Sequence, residues 1–171
     1  RGRNAFGIIG KEDVLNSKSK KEYFEGAIKL YCKAGEIRWT DLSEITKGTD
    51  IVDKYKAFIS KSAGSPGKDL KIIGNSCIGE RGSACTDSLF PIGNFDAFDE
   101  ADNLRKYIKT QFLRFMVSIM KISQNVTQLV YKYVPLQDFT PNSDIDWSKS
   151  IHEIDLQLYR KYGLDEKEIE F

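Results

Sequence analysis

The stretch DAFDEADNLRKYIKTQFLRFMVSIMK, residues 96–121, decides the fold. Leu104, Ile108, Phe112, Phe115, Met116 and Ile119 recur at the three- and four-residue spacing of a helix that buries one stripe. Asp96 is placed to cap its start. Asp99, Glu100 and Asp102 occupy the first turns, and Arg114 and Lys121 lie towards the end, which suits the helix dipole. Arg105, Lys106 and Lys109 form a more polar flank. The spacing predicts one long helix opening at Asp96.

Upstream of it the pattern changes to short β segments. Ile28 to Cys32 reads as a strand, Ala34-Gly35 as a turn and Ile37-Arg38-Trp39 as the returning strand of a hairpin. Asp41 can cap one helical turn in which Leu42 and Ile45 share a face. Tyr55 to Ser60 and Leu70 to Ile73 read as strands around the loop Ser62-Ala63-Gly64-Ser65-Pro66-Gly67, and Thr86 to Ile92 as another strand, ended by Gly93. Downstream, Ser123 to Thr127 opens a short second helix, and Pro135 pushes Val134 into an extended conformation. Ser150 and Glu153 fit a capping box for a helix carrying Ile151, Ile154, Leu158 and Tyr162, with Gly163 as its C-terminal stop. Asp165 then caps a further helix. The expected class is α+β: a β-rich body over residues 1–137 that includes the long helix, then a linker and small helical tail over 138–171. A chain that opens without methionine and stops inside a helix reads as a fragment of a longer polypeptide.

Composition narrows the function classes. The 171 residues suffice for one ordinary core without disulfides or metal. There is no run of eighteen apolar residues of the kind that spans a membrane, and the first residues lack the apolar stretch of a signal peptide. Cys32, Cys77 and Cys85 are odd in number and form no paired CxxC, so reduced thiols in a cytoplasmic protein are the plain reading. The formal net charge is +1. Along the chain it resolves into about +5 over residues 1–81, about +1 over 82–137 and about −5 over 138–171. Near-neutrality is thus a cancellation between a basic body and an acidic tail.

Catalytic patterns are missing from the sequence. His152 is the one histidine, in the first turn of the tail helix beside acidic neighbours, where a solvated surface residue is the ordinary case. No HExxH, GxSxG or P-loop pattern occurs, and Asp144 and Asp146 alternate like metal-binding carboxylates without an EF-hand loop behind them. These residues hold no self-sufficient active site, cofactor site or metal site. What remains is binding chemistry. Lysine and arginine neutralise phosphates, while hydroxyl and amide side chains fix register and read base edges. Two loops combine both with small residues: Lys61 to Lys68, with Ser62 and Ser65, and Arg81 to Thr86, with Ser83. Arg81, Lys61 and Lys68 can donate to guanine, and Gln124 or Asn125, beside Thr127, can pair with adenine. Ordinary surface loops and helix caps are the alternative reading of the same residues.

Several segments carry a resemblance: Arg3-Asn4-Ala5-Phe6-Gly7, Ser60-Lys61-Ser62-Ala63-Gly64-Ser65, Ser83-Ala84-Cys85-Thr86-Asp87 and Gln124-Asn125-Val126-Thr127. The longest is Tyr107-Ile108-Lys109-Thr110-Gln111-Phe112-Leu113-Arg114-Phe115-Met116-Val117-Ser118. Tyr133-Val134-Pro135-Leu136-Gln137-Asp138-Phe139, Asp146-Trp147-Ser148 and Leu158-Tyr159-Arg160-Lys161-Tyr162-Gly163-Leu164 complete the set. Over nearly its whole length the chain resembles the C-terminal region of bacterial adenine-specific DNA methyltransferases of restriction–modification systems, the long type II kind in which methylase and nuclease functions can be fused.

The resemblance implies a target-recognition domain, similar in plan to those of type I specificity subunits. Its partners would be double-stranded DNA and the catalytic domain of the same polypeptide. The family's Asn-Pro-Pro-Tyr tetrad does not occur here, so S-adenosylmethionine, and magnesium for any cleavage, would belong to other parts of the parent enzyme. Arg105 and Lys109 would touch backbone phosphates. The main alternative is a protein-interaction or assembly domain whose interface is the aromatic-rich helix and the tail with Ile151, Ile154 and Leu158. A stand-alone nuclease is a third reading, which no carboxylate–lysine spacing supports.

Overall fold

The computed structural model describes residues 4–61, 73–120, 131–165 and 169. The class is α+β, with two small sheets and four helices among those residues. The chain opens with α1 (Glu12–Lys18), β1 (Ser19–Lys20), β2 (Ile28–Tyr31) and β3 (Ile37–Thr40). The expected hairpin is present: β2 and β3 pair antiparallel, with Leu30 opposite Arg38. Ala34 and Gly35 both turn with positive φ (59° and 83°), so the turn uses one glycine and strains one alanine. Asp41 caps the following 3-10 turn by accepting from the Ser43 amide at 2.8 Å. Then come β4 (Tyr55–Ser60), β5 (Ser76–Gly79), β6 (Ser83–Cys85) and β7 (Leu89–Phe95).

One sheet has the order β1-β3-β2-β6, with β6 parallel to β2, and the other the antiparallel order β5-β4-β7. Neither α1 nor the β2–β6 pairing is signalled by periodicity in the sequence. The strand expected over Thr86–Ile92 is displaced: a turn at Asp87 and Ser88 separates β6 from β7. Gly93 does not end β7 but lies inside it with φ +86°. A Cβ there would sit 2.3 Å from the Phe95 ring, so the strand passes through only because the residue is glycine.

The long helix is two helices. α2 (Phe98–Lys109) stops at Thr110, whose backbone is extended (ψ 149°), and α3 (Gln111–Met120) restarts at once. The apolar stripe runs through the break, so the sequence gives no warning of it. The cause lies 44 residues downstream, on α4 (Ile151–Tyr162). The Asp155 carboxylate, 3% exposed, accepts the Gln111 and Phe112 amides at 2.9 Å each and so caps α3 from another element. Thr110 Oγ1 donates to the Tyr107 carbonyl at 2.6 Å and accepts the Leu113 amide at 3.2 Å. Asp96 is not the cap of α2 either. Ala97 holds that position without a side-chain bond, and Asp96 pairs with Lys54 instead.

The capping box of α4 forms as expected: Glu153 donates its amide to Ser150 Oγ at 3.3 Å, and Ser150 donates its amide to Glu153 at 3.0 Å. Gly163 ends the helix in the left-handed region at φ 68°. The segment is not a separate tail, however. Ile154 and Leu158 are fully buried in the same cluster as Ala57 and Ile59 of β4 and Tyr107 of α2. The stretch expected as a solvated linker buries Phe139, Ile145 and Trp147, and the Trp147 indole donates to the Asp138 carbonyl at 2.9 Å. Asp144 pairs with Lys161 at 2.8 Å, and Asp146 accepts the Ser148 amide and hydroxyl at 3.0 and 2.6 Å.

A second, smaller cluster holds Phe6, Ile8, Leu30, Ile51, Phe58 and Cys85. β4 divides the two: Ala57 and Ile59 face one, Phe58 the other. Among the described residues no helix is long and apolar enough to cross a membrane. The expected strand residues 70–72 and the expected helix at 123–127 lie outside the described residues.

Candidate nucleic-acid interface

The turn that joins β5 to β6, Glu80-Arg81-Gly82, carries the best-defined basic side chain of the candidate set. Gly82 adopts φ +66° with open space where a Cβ would be. The turn is held from below by Lys56, whose side chain is fully buried. Its ammonium lies 3.0, 2.9, 2.9 and 3.1 Å from the carbonyl oxygens of Ile51, Val52, Lys54 and Glu80. Three N–H donors face four acceptors, so one bond is shared. Burial pulls the Lys56 pKa down to about 8. Ser83 also donates its hydroxyl to the Glu80 carbonyl, which fixes the turn from both sides.

Arg81 itself is exposed yet oriented. Its Nη2 donates to the Asp96 carbonyl at 3.1 Å, and its guanidinium carbon lies 5.5 Å from the centroid of the Tyr55 ring. The Asp96 carboxylate is 3.9 Å away and pairs with Lys54, whose hydrogen bond holds the Asp96 carboxyl below the usual range. Tyr55 meets Phe98 edge-on at 5.8 Å. Lys29 reaches Glu80 at 3.4 Å. The result is an exposed guanidinium set over the Tyr55 ring, with Lys54 sharing its Asp96 partner and Lys29 tied to the neighbouring Glu80.

The other candidate loop begins at the opposite end of β4. Lys61 donates its amide to the Ser88 carbonyl at 3.1 Å, so the root of that loop lies against the turn after β6. The six residues of β4 separate the two places by about 17 Å at roughly 3.3 Å per residue. Arg81 and Lys61 therefore do not form one cluster.

The remaining expected residues divide. Ser83 and Thr86 are 0% and 1% exposed, so burial removes both hydroxyls from surface contact, and Ser83 is left positioning the Glu80 turn. Arg105 is spent on Asp102, at 3.0 and 2.6 Å, whereas Lys109 is exposed. Ser62, Ser65, Lys68, Gln124, Asn125 and Thr127 lie outside the described residues. Sequence reasoning missed Tyr55, Lys56 and Asp96 as supports of Arg81. One signal was available: Lys56 interrupts the apolar run Tyr55-Lys56-Ala57-Phe58-Ile59, and a lysine buried there must find acceptors.

The opposite electrostatic sign gathers elsewhere. A cavity of about 670 Å³ between α2 and residues 139–148 is lined by Asp99, Glu100, Asp102, Asp144 and Asp146, with Lys106 the one cation among its lining residues. Such a wall repels phosphates. The free cysteines are poorly placed for reaction, since burial pushes the Cys32 thiol up to about 11 and the Cys85 thiol further. No family model, curated protein or solved structure matches the chain.

Proposed function

We propose that the chain is the target-recognition module of a restriction–modification adenine-N6 DNA methyltransferase, reading duplex DNA in the cytoplasm. The methyl group of S-adenosylmethionine would be transferred by a catalytic domain of the same polypeptide, to which the target adenine is flipped. The observation that carries the reading is Arg81: an exposed guanidinium held in one direction by Tyr55 and Asp96, beside Lys54 and Lys29. A fixed planar fork suits the bidentate contact to guanine, and the lysines suit phosphates. The excess of lysine and arginine over residues 1–81 supports the same reading.

The test is a binding series on the full-length protein with cognate and scrambled duplexes. Arg81→Ala should weaken cognate binding by about 1–3 kcal/mol and leave scrambled binding nearly unchanged. Equal losses on both would remove its base-reading role. Affinity should also fall steeply with salt, with a slope set by the number of phosphates contacted.

A second reading, a protein-assembly domain, is favoured by one specific observation: Leu136 is 92% exposed and Ile119 62%, with Tyr133 and Phe115 also exposed. An apolar interface of that kind would bind with little salt dependence, which separates the two.

A further inference from the structure

Arg81 and Lys54 share one acidic partner, and that partner is exposed. Lys54 Nζ donates to Asp96 Oδ1, and the same oxygen lies 3.9 Å from Arg81 Nη2. The Asp96 side chain is 78% exposed, so its carboxylate stands at the surface, in reach of whatever Arg81 meets. The hydrogen bond from Lys54 holds this carboxyl below the usual range, so it is charged at neutral pH. One negative charge thus sits between two positive ones and partly neutralises both.

The direction of Arg81 does not depend on that charge. Its Nη2 donates to the Asp96 backbone carbonyl at 3.1 Å, and its guanidinium carbon lies 5.5 Å from the centroid of the Tyr55 ring. Both contacts survive loss of the carboxylate. The cap position of α2 is held by Ala97, so a substitution at Asp96 spares that helix as well. The electrostatic effect of the carboxylate is therefore separable from the local structure.

That effect differs between the two kinds of acceptor that DNA presents. Backbone phosphates are charged, whereas guanine O6 and N7 are neutral. A carboxylate beside the guanidinium repels an approaching phosphate and weakens the cations that would attract it. A neutral base edge meets no such repulsion. Without the carboxylate, Arg81 and Lys54 would bind phosphates on any sequence. Specificity is a difference of affinities, and suppressing the wrong complex raises it as surely as strengthening the right one.

We infer that Asp96 is a specificity-determining residue that keeps Arg81 for base edges by making backbone phosphate a poor partner for it. The inference rests on the DNA-recognition reading and adds to it the residue that suppresses non-specific binding.

The cognate duplex is first found by selection from a randomised pool with the full-length protein. The affinities of wild type, Asp96→Asn and Asp99→Asn for cognate and scrambled duplexes are then measured over a range of salt concentrations. Asp99→Asn removes the same charge from an exposed position in the first turn of α2. Asp96→Asn should bind scrambled duplex about fivefold more tightly at low salt, with a salt slope steeper by about one phosphate. Its cognate affinity should rise less, so the ratio of cognate to scrambled affinity falls. Loss of cognate affinity with no gain on scrambled duplex would make Asp96 an orienter of Arg81 and overturn the inference. Equal gains on both duplexes, the same result from Asp99→Asn, or no change at all would overturn it too. Asp96→Ser repeats the comparison should Asp96→Asn fail to fold. All of these outcomes leave the recognition reading intact, whereas a wild-type protein that selects no sequence removes both.

Discussion

The two hydrophobic clusters on either side of β4 are built by different chemistry. The larger is aromatic and helical. Tyr107, Phe139 and Trp147 meet pairwise with ring centroids 5.3–6.1 Å apart, and Ile154 and Leu158 close it from α4. The smaller, around Phe6, Leu30 and Phe58, borders the fully buried Lys56, whose ammonium collects four carbonyls. The first derives its stability from non-directional burial of apolar area and from ring contacts. The second also packs rings, Phe58 against Phe6 and Tyr31, and adds the directional bonds of Lys56 that fix the turns beside it. The Arg81 turn lies over the Lys56 seat, and the acidic cavity begins at Ala97, beside the Asp96 that holds Arg81. Directional bonds also occur on the helical side, where Asp155 caps α3; what sets the Arg81 turn apart is the buried Lys56 beneath an exposed guanidinium.

That contrast can be broken by substitution. Leu158→Ala, deep in the helical cluster, should have the largest effect on stability, about 3 kcal/mol by denaturant unfolding, from lost burial and the cavity left behind. The folded fraction should keep its DNA preference. A changed preference would mean that the helical side also shapes the reading surface.

Lys56→Met should cost about 2 kcal/mol, because it strands carbonyls that lose their shared donor. Unlike the leucine variant, it should also blunt the discrimination that depends on Arg81, since the Glu80 carbonyl is one of its four anchors. If stability falls and discrimination survives, Lys56 supports only the core.

Asp155→Ala should cost about 1 kcal/mol through the lost cap of α3. Its Asn counterpart tests the charge. Burial, opposed by the two amide bonds, raises the Asp155 carboxyl above its usual value. The folded state therefore holds that proton to higher pH than the unfolded chain does. Its contribution to stability falls as pH rises from the ordinary aspartate range through the raised value, and is flat above it. Wild type should show that decline relative to Asp155→Asn in unfolding measured across the acid range; parallel curves would refute it.

The smallest effect on stability belongs to Arg81→Ala, within about 0.5 kcal/mol, because the side chain is exposed. Thermal unfolding should barely move while cognate binding drops. A large stability loss would recast Arg81 as a structural residue.

Local patterns were legible where the physics is local. The β2–β3 hairpin follows from its turn residues and flanking strands, the α4 capping box from Ser150 and Glu153, and its end from Gly163. Tyr55–Ser60 is a strand as its composition suggests. Arg81 was visible as a basic residue in a glycine-punctuated turn, but its direction was not, because Tyr55 and Asp96 come from other strands and loops. Ser83 and Thr86 looked like surface hydroxyls in sequence and are buried, Ser83 on β6, the edge strand that pairs parallel with β2, and Thr86 directly after it. Polar side chains on an inward strand face look no different from exposed ones until the pairing is known.

The amino-acid sequence by itself determined the α+β class, the hairpin, the last helix with both of its caps and the split of charge into a basic half and an acidic end. Each depends on residues within a few positions of one another, where propensity, capping and spacing act directly. The break of the long helix at Thr110, the burial of the 138–147 segment, the four-carbonyl seat of Lys56 and the fixed orientation of Arg81 were decided only by the tertiary structure. Every one of them requires a partner far away in sequence: Asp155 for Gln111, Glu80 for Lys56, Asp96 for Arg81. Such bonds gain strength from burial and precise geometry, and neither exists until the chain has folded.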